Sequence, residues 1–433
     1  MRFAFVTLGS AGDLHPMLAL AREMTDRGHD VALLAQAPHE QEVAREGVRF
    51  ISIASQRDHD RTLTHPDLWH PIRGLGVLWR HLVVPAIEPT LDALSSWQAE
   101  QSVCPVVVAA PLAIGARLFR DQAKVPLISV ATAPTALRTI EDPMFLGSWQ
   151  VPVRTPRAIR SLLWRLLDWL KLDPLAQPSI RVWQQRLGIP PLPPQLLKNW
   201  LLSPDGVLAL FPSEFCTPRP DWPPNTMQFG FPLYQPRVPT PLSPGLQRFL
   251  DAAPAPWLVY PGSAHAGATR ETQRLQSLVS ALIKLQQSVV LISRQSALST
   301  VAEKHPMVHI EPWTDLSVLL PRAKAIVHHG GIGTCAWALA HHTPQVVWPS
   351  AYDQFENGWH VEAMRQGRVL HGQLPDGTGL LELIQPVISA PDGTPLNEST
   401  GNNSRAPETQ SSSGKICDWL ETISQNTIHT KEQ

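Results

Sequence analysis

The chain has 433 residues, 43% of them hydrophobic, and a formal net charge of -1. That length predicts two domains with a core each, and the near-neutral balance argues against a nucleic-acid binder and against a polybasic membrane patch. Its four cysteines, Cys104, Cys216, Cys335 and Cys417, form no CxxC pair, which predicts a reducing compartment and no structural zinc site. At the N-terminus the apolar run is only six residues long before Gly9, too short for a signal peptide. No stretch reaches the ~18 apolar residues of a membrane span, so the expectation is a cytoplasmic protein.

In chain order, the first 50 residues read as a strand–helix–strand unit. Phe3–Leu8 is a short apolar run suited to a strand buried on both faces. A glycine-containing turn follows, then the helical spacing Met17, Leu18, Leu20, Ala21, Met24, which ends at Gly28. Asp30–Ala35, Pro105–Ala109 and Val125–Val130 are later strands. This alternation predicts a parallel sheet with helices on both faces.

Residues 157–172 predict a strongly amphipathic helix, with Arg157, Arg160, Arg165, Asp168 and Lys171 on one side and Leu162, Leu163, Leu166 and Leu170 on the other. Two readings are open: the apolar side packs on its own domain, or it meets a lipid or membrane surface. The four prolines of 236–245 predict an extended linker, in a chain whose 43 prolines are about twice the usual ~5%. Its 15 tryptophans suggest aromatic surfaces for packing or for an apolar ligand. Alternation restarts with strands at Trp257–Tyr260, Val289–Ile292, Ala325–Val327 and Gln345–Trp348, and a helix over Glu271–Leu285. Residues 391–414 are rich in Ser, Thr, Asn, Pro and Gly and are expected to be disordered, before a last helix over Ile416–Ile423. The domains are therefore expected at 1–235 and 246–390, with 415–433 as a C-terminal helix and tail.

The strongest motif is Val327–Thr334, VHHGGIGT, which follows a buried strand and opens a helix. Glycines there let backbone amides approach a ligand, and the helix N-terminus offers unpaired N–H groups and a positive dipole end. That combination can hold a diphosphate without metal, with the His329 ring and the Thr334 hydroxyl as further donors. About twenty residues on, the next strand leads to Asp353-Gln354, a carboxylate beside a carboxamide, suited to sugar hydroxyls. Trp313 precedes the motif's strand and is placed to stack a flat base. Gly262-Ser263 begins the second half's first turn; it is a diphosphate contact or a plain turn. The pairs His328-His329 and His341-His342 lack an acidic or thiol partner at suitable spacing, so no metal is expected.

Trp313–Gln354 resembles the donor-binding signature of the family-one, UDP-glucuronosyltransferase-like glycosyltransferases with the GT-B fold, two Rossmann-like doubly wound domains facing across a cleft. The resemblance implies base stacking by Trp313. It implies a diphosphate site at His329, Gly331, Gly333 and Thr334 and a sugar site at Asp353 and Gln354, and Gly330 and the candidate Ser263 are counted with these donor-binding residues. Trp337 stands where many members carry a ribose-binding Glu, and Leu316 where a Gln is frequent. The turn Gly9–Pro16, GSAGDLHP, is similar to the GSRGD turn of the bacterial antibiotic and sterol glycosyltransferases, whose Asp is the proposed base. On that resemblance Asp13 deprotonates the acceptor; on its position alone it N-caps the following helix, where the dipole would lower its pKa. His15 is the alternative base.

HPDLWHP at 65–71, GVLW at 76–79, SPDGV at 203–207 and GFPLY at 230–234 are similar to the rhamnosyltransferases of rhamnolipid synthesis. The expected function is then an inverting transfer of a hexose to an apolar hydroxylated acceptor. The hexose is L-rhamnose from dTDP-L-rhamnose and the acceptor a hydroxyacyl lipid, with no cofactor beyond the nucleotide sugar and with peripheral contact at the inner membrane. The alternatives are a UDP-glucose-dependent transferase acting on a sterol or other apolar secondary metabolite and an inactive nucleotide-sugar-binding auxiliary protein. Donor hydrolysis by the purified chain separates the last from the others.

Overall fold

The computed structural model describes residues 1–101, 103–252, 255–262, 269–294, 305–372, 382 and 412–431. The chain divides into two compact units, Met1–Arg237 with Thr409–Gln433, and Val238–Glu408. The junction lies inside the proline-rich stretch 236–245, whose far end already belongs to a helix, Pro244–Ala252. Proline at a helix start costs no hydrogen bond, so the predicted linker is shorter than its composition suggested.

In the first unit, strands β1 (Arg2–Val6), β2 (Asp30–Gln36), β3 (Arg49–Ala54), β4 (Val106–Ala109) and β5 (Leu127–Ala131) lie in one sheet. A small antiparallel hairpin, β6 (Met144–Leu146) and β7 (Trp149–Val151), stands apart, and β8 (Val207–Leu210) and β9 (Thr226–Phe229) complete the sheet. Its order is β3-β2-β1-β4-β5-β8-β9, with every pairing parallel. Phe3 pairs with Val31 on one side and Val106 on the other, so β1 is buried on both faces and can be apolar throughout.

Helix α1 (Ala11–Asp26) follows β1 and starts six residues earlier than the apolar spacing predicted, because a polar capping box nucleates it. Helix α2 (Arg157–Leu167) runs into a π-helical turn, Asp168–Leu172.

The second unit holds β10 (Trp257–Tyr260), β11 (Val289–Ile292), β12 (Val308–Glu311), β13 (Ala325–His328), β14 (Gln345–Val347) and β15 (Gly367–Val369). All are parallel, in the order β12-β11-β10-β13-β14-β15. Its helices include α3 (Thr269–Lys284), α4 (Ile332–Ala340) and α5 (Gln354–Ala363).

Strand order reverses between β1 and β4 in one sheet and between β10 and β13 in the other. At such switch points the connections diverge to opposite faces and leave a crevice beyond the strand ends, where doubly wound folds bind ligands.

The last helix, α6 (Ser412–Lys431), is longer than the expected 416–423. Its Ile416, Cys417 and Leu420 are fully buried with Leu14, Met17 and Met24 of α1, and that packing carries flanking residues too polar to signal a helix. Arg27 reaches the Asp418 carboxylate at 2.7 Å and the Gly414 carbonyl at 3.1 Å, and His29 reaches Glu421 at 2.8 Å. The stretch expected to be disordered, 391–414, lies outside the described residues up to 411; 412–414 are the first turn of α6.

Candidate active site

The first switch point carries the turn after β1. Ser10, not Asp13, is the N-cap of α1: its Oγ accepts from the Gly12 N–H at 3.3 Å. Asp13 is the third helical residue, and its Oδ2 accepts from Ser10 N at 2.8 Å and from Ser10 Oγ at 3.2 Å. The expectation that Asp13 itself caps the helix is therefore corrected, since the Ser-x-x-Asp spacing gives that task to the serine. Burial raises the Asp13 carboxyl above the ordinary carboxylate range, and the Ser10 hydrogen bonds only reduce the rise. The lowered pKa expected from the helix N-terminus is corrected on the same ground, because desolvation outweighs the local donors.

Two residues brace this turn that sequence reasoning missed. Buried Gln36, at the end of β2, clamps Gly9 from both sides: its Nε2 donates to the Gly9 carbonyl at 2.9 Å and its Oε1 accepts the Gly9 N–H at 3.2 Å. His39 hydrogen-bonds the Gly9 backbone as well, and burial lowers its pKa. The only available signal was a polar residue ending a wholly buried strand. His15, the alternative base, has its Nε2 2.9 Å from Glu42 Oε1 and its ring 4.8 Å from that of Tyr234.

The second switch point is built around His329. Its ring hydrogen-bonds the Tyr260 backbone, and burial pushes its pKa down to about 4. A Cβ on Gly262 would stand 2.6 Å from its Cε1, and one on Gly331 2.5 Å from its Nε2. The imidazole thus lies between two backbones that only glycine allows so close. His328, fully buried beside it, accepts the Gly330 N–H on Nδ1 at 3.1 Å and meets Gln345 Oε1 with Nε2 at 3.0 Å, which fixes its tautomer and the turn. Its pKa falls to about 3, again through burial.

Helix α4 opens at Gly331 with no side-chain cap, and a Cβ on Gly333 would meet nothing within 4 Å. Amides of an uncapped first turn facing open space, at the positive end of the helix, suit an anion. Thr334 is buried in that first turn.

Asp353 and Gln354 start α5. The Gln354 carbonyl oxygen accepts the Ser350 and Ala351 N–H groups at 2.8 and 3.0 Å, so that end of the carboxamide shapes its own loop. Asp353 Oδ2 accepts from Asn357 Nδ2 at 2.7 Å, and the same Nδ2 donates to the Gly330 carbonyl at 3.0 Å. Asn357, fully buried and unremarked in the sequence, therefore joins the glycine turn to the Asp-Gln loop. Its four-residue distance from Asp353 was the signal, once 354–363 is read as helix. Arg274 of α3 stacks over Trp348 at 4.0 Å and donates to Ser350 Oγ at 2.9 Å, which brings a cation to the same loop.

Trp313 is 47% exposed, ahead of a short helix that Asp315 caps. Trp337 stacks on His341, with ring centroids 5.7 Å apart, and packs with Leu316 against one apolar cluster. Ser263 lies outside the described residues. The second switch point thus gathers His329, Gly330, Gly331, Gly333, Thr334, Asp353 and Gln354.

Residues 3–140 match the glycosyltransferase family 28 N-terminal domain, and residues 276–394 match the erythromycin biosynthesis protein CIII-like C-terminal domain. The chain is a glycosyltransferase. It is 28% identical over 374 residues to O-mycaminosyltylonolide 6-deoxyallosyltransferase of Streptomyces fradiae, covering 85% of this chain and 84% of that one. The glycosyltransferase also superposes on the kitacinnamycin glycotransferase with a TM-score of 0.71 at 20% identity, over 98% of both chains. Against the spinosyn rhamnosyltransferase SpnG the TM-score is 0.59 at 17% identity, over the whole of both chains. Its fold is GT-B, an α/β architecture of two Rossmann-like domains.

Proposed function

We propose that this glycosyltransferase moves L-rhamnose from dTDP-L-rhamnose to a hydroxyl of an apolar acceptor such as a hydroxyacyl lipid, with inversion. The observation that carries the donor half is the neutral His329 between Gly262 and Gly331, beside the uncapped N-terminus of α4. The first-turn amides are N–H donors rather than carboxylates, so they stabilise a diphosphate directly and the reaction is proposed to run without a divalent ion. The choice of nucleotide is supported by SpnG, named a rhamnosyltransferase and solved with thymidine diphosphate. The acceptor choice rests on the N-terminal sequence pieces at 65–79 and 203–234.

In this reading the N-terminal unit takes the acceptor and the C-terminal unit the nucleotide sugar. The Asp13 carboxylate removes the acceptor's hydroxyl proton as its oxygen attacks the anomeric carbon from the face opposite the diphosphate. The bond to the diphosphate oxygen breaks, and the charge it leaves is met by the first-turn amides of α4, which the His329 ring holds in place through the glycine turn. Asp353 and Gln354 hold the sugar, Trp313 the base, and Ser263 adds a donor to the diphosphate.

A thermal-shift comparison of dTDP-L-rhamnose with UDP-glucose tests the donor, because the ligand that binds the folded state more tightly raises the midpoint more. A larger shift with UDP-glucose would replace the proposed donor. Mass spectrometry of products from hydroxyacyl and sterol acceptors tests the other half.

A further inference from the structure

An amphipathic helix ordinarily buries its apolar stripe. Helix α2 and its π-turn do the reverse. Arg160, 3% exposed, points inward and donates Nη1 to the Asp142 carbonyl at 3.1 Å. Asp168, 1% exposed, accepts from Arg138 Nη1 at 2.7 Å and Nη2 at 3.1 Å, and from Gln195 Nε2 at 3.1 Å. The Arg138 guanidinium in turn covers the Trp164 ring at 4.0 Å. With Arg160 and Asp168 thus held inside, the segment turns Val153, Ile159, Leu162, Leu166, Trp169 and Leu170 to solvent, Trp169 at 71% exposure.

The exposed charges of residues 153–172 are all of one sign. Arg154, Arg165 and Lys171 are exposed and have no ion-pair partner among the described residues. Arg157 pairs with Glu141 at 2.7 Å and is itself exposed. Between 153 and 172 the one carboxylate is the buried Asp168. We propose that this face docks on the surface of an anionic lipid bilayer, with α2 lying in the plane of the headgroups. Apolar side chains and the Trp169 indole enter the headgroup–acyl boundary while the arginines and the lysine meet lipid phosphates. A second copy of the chain fits less well, because a self-paired face sets these cations against the same cations. The arrangement is a surface contact, since no helix among the described residues is long and apolar enough to cross a membrane. It goes beyond the proposed reaction and stands whatever the sugar and acceptor are.

The test is flotation of the full chain with vesicles of phosphatidylcholine containing about one third phosphatidylglycerol, against vesicles of phosphatidylcholine alone. The wild type is expected to float with the anionic vesicles and to be released by salt. Leu162→Asp with Leu166→Asp should weaken binding about ten-fold or more, with circular dichroism and thermal unfolding unchanged because both positions are exposed. Arg165→Gln with Lys171→Gln should weaken it about five-fold per cation. A wild type that stays in the aqueous phase overturns the proposal, as does a double aspartate variant that floats equally well. So does a dimer that the aspartates dissociate in the absence of any lipid binding. No sugar or acceptor enters the assay, so its failure is separate from any failure of the proposed reaction.

Discussion

A Cβ added to Gly9 would stand 2.6 Å from Cγ of Asp13, so the glycine's bare Cα is what leaves room for the carboxylate at the start of α1. Gly9 also holds φ at +139°, a conformation that side chains resist. Gly9→Ala is therefore expected to move Asp13 and to cut transfer nearly as far as Asp13→Ala does, roughly 100- to 10,000-fold, the range of a positioned base. Both variants should bind dTDP as the wild type does in calorimetry. Retained transfer in Asp13→Ala would remove the base assignment.

The raised pKa of Asp13 sets the direction of the pH profile. A base must be ionised, so kcat/KM should fall as pH drops through a value above the ordinary carboxylate range. Ser10→Ala deletes a hydrogen bond that lowers this pKa, so the acid limb should move to higher pH. A limb that stays in place in the serine variant would mean that another group titrates.

His329, with its pKa down at about 4, is neutral at physiological pH and acts as a dipole rather than a cation. Affinity for dTDP-L-rhamnose, measured by calorimetry, should be flat from about pH 6 to 8, where an ordinary His would lose its charge. His329→Ala is expected to weaken donor binding by about ten-fold, because the buried hydrogen bond to Tyr260 that fixes the glycine turn is lost. Steep weakening across that pH range in the wild type, absent in the variant, would show a charged imidazole instead.

Asn357 couples the two donor-side loops through a single amide nitrogen. Asn357→Ala should destabilise the fold by about 1–3 kcal/mol, because the Gly330 carbonyl and the Asp353 carboxylate each lose a donor. Asn357→Asp should do worse, by setting one carboxylate against another. Urea unfolding reads the stability, and calorimetry with the nucleotide sugar reads the site. Unchanged values for both variants would show that the bridge carries nothing.

Much of the central sheet architecture was legible because parallel strands buried on both faces must be apolar throughout. Phe3–Val6 and Trp257–Val259 announce themselves in that way. Edge strands do not: Arg49–Ala54 and Thr226–Phe229 are partly exposed and mixed in character, so nothing in their sequence sets them apart from loops. The glycine turns were legible too, since strand, Gly-rich turn and helix follow one another in the chain. Gln36 and Asn357 were not, because each acts on a backbone group 27 residues away, at Gly9 and at Gly330.

The sequence by itself determined the class of protein: two alternating strand–helix halves, each opening on a glycine turn, with an Asp-Gln pair after the second. Tertiary structure decided which way things face. Residues 157–172 show their amphipathicity in the sequence, yet a helical pattern states only that two sides differ. Asp142 and Arg138, distant in the chain, satisfy Arg160 and Asp168 and draw those two polar side chains inward. The cost of leaving a buried charge unpaired removes the opposite orientation once those partners are in place, and the leucines are left facing out.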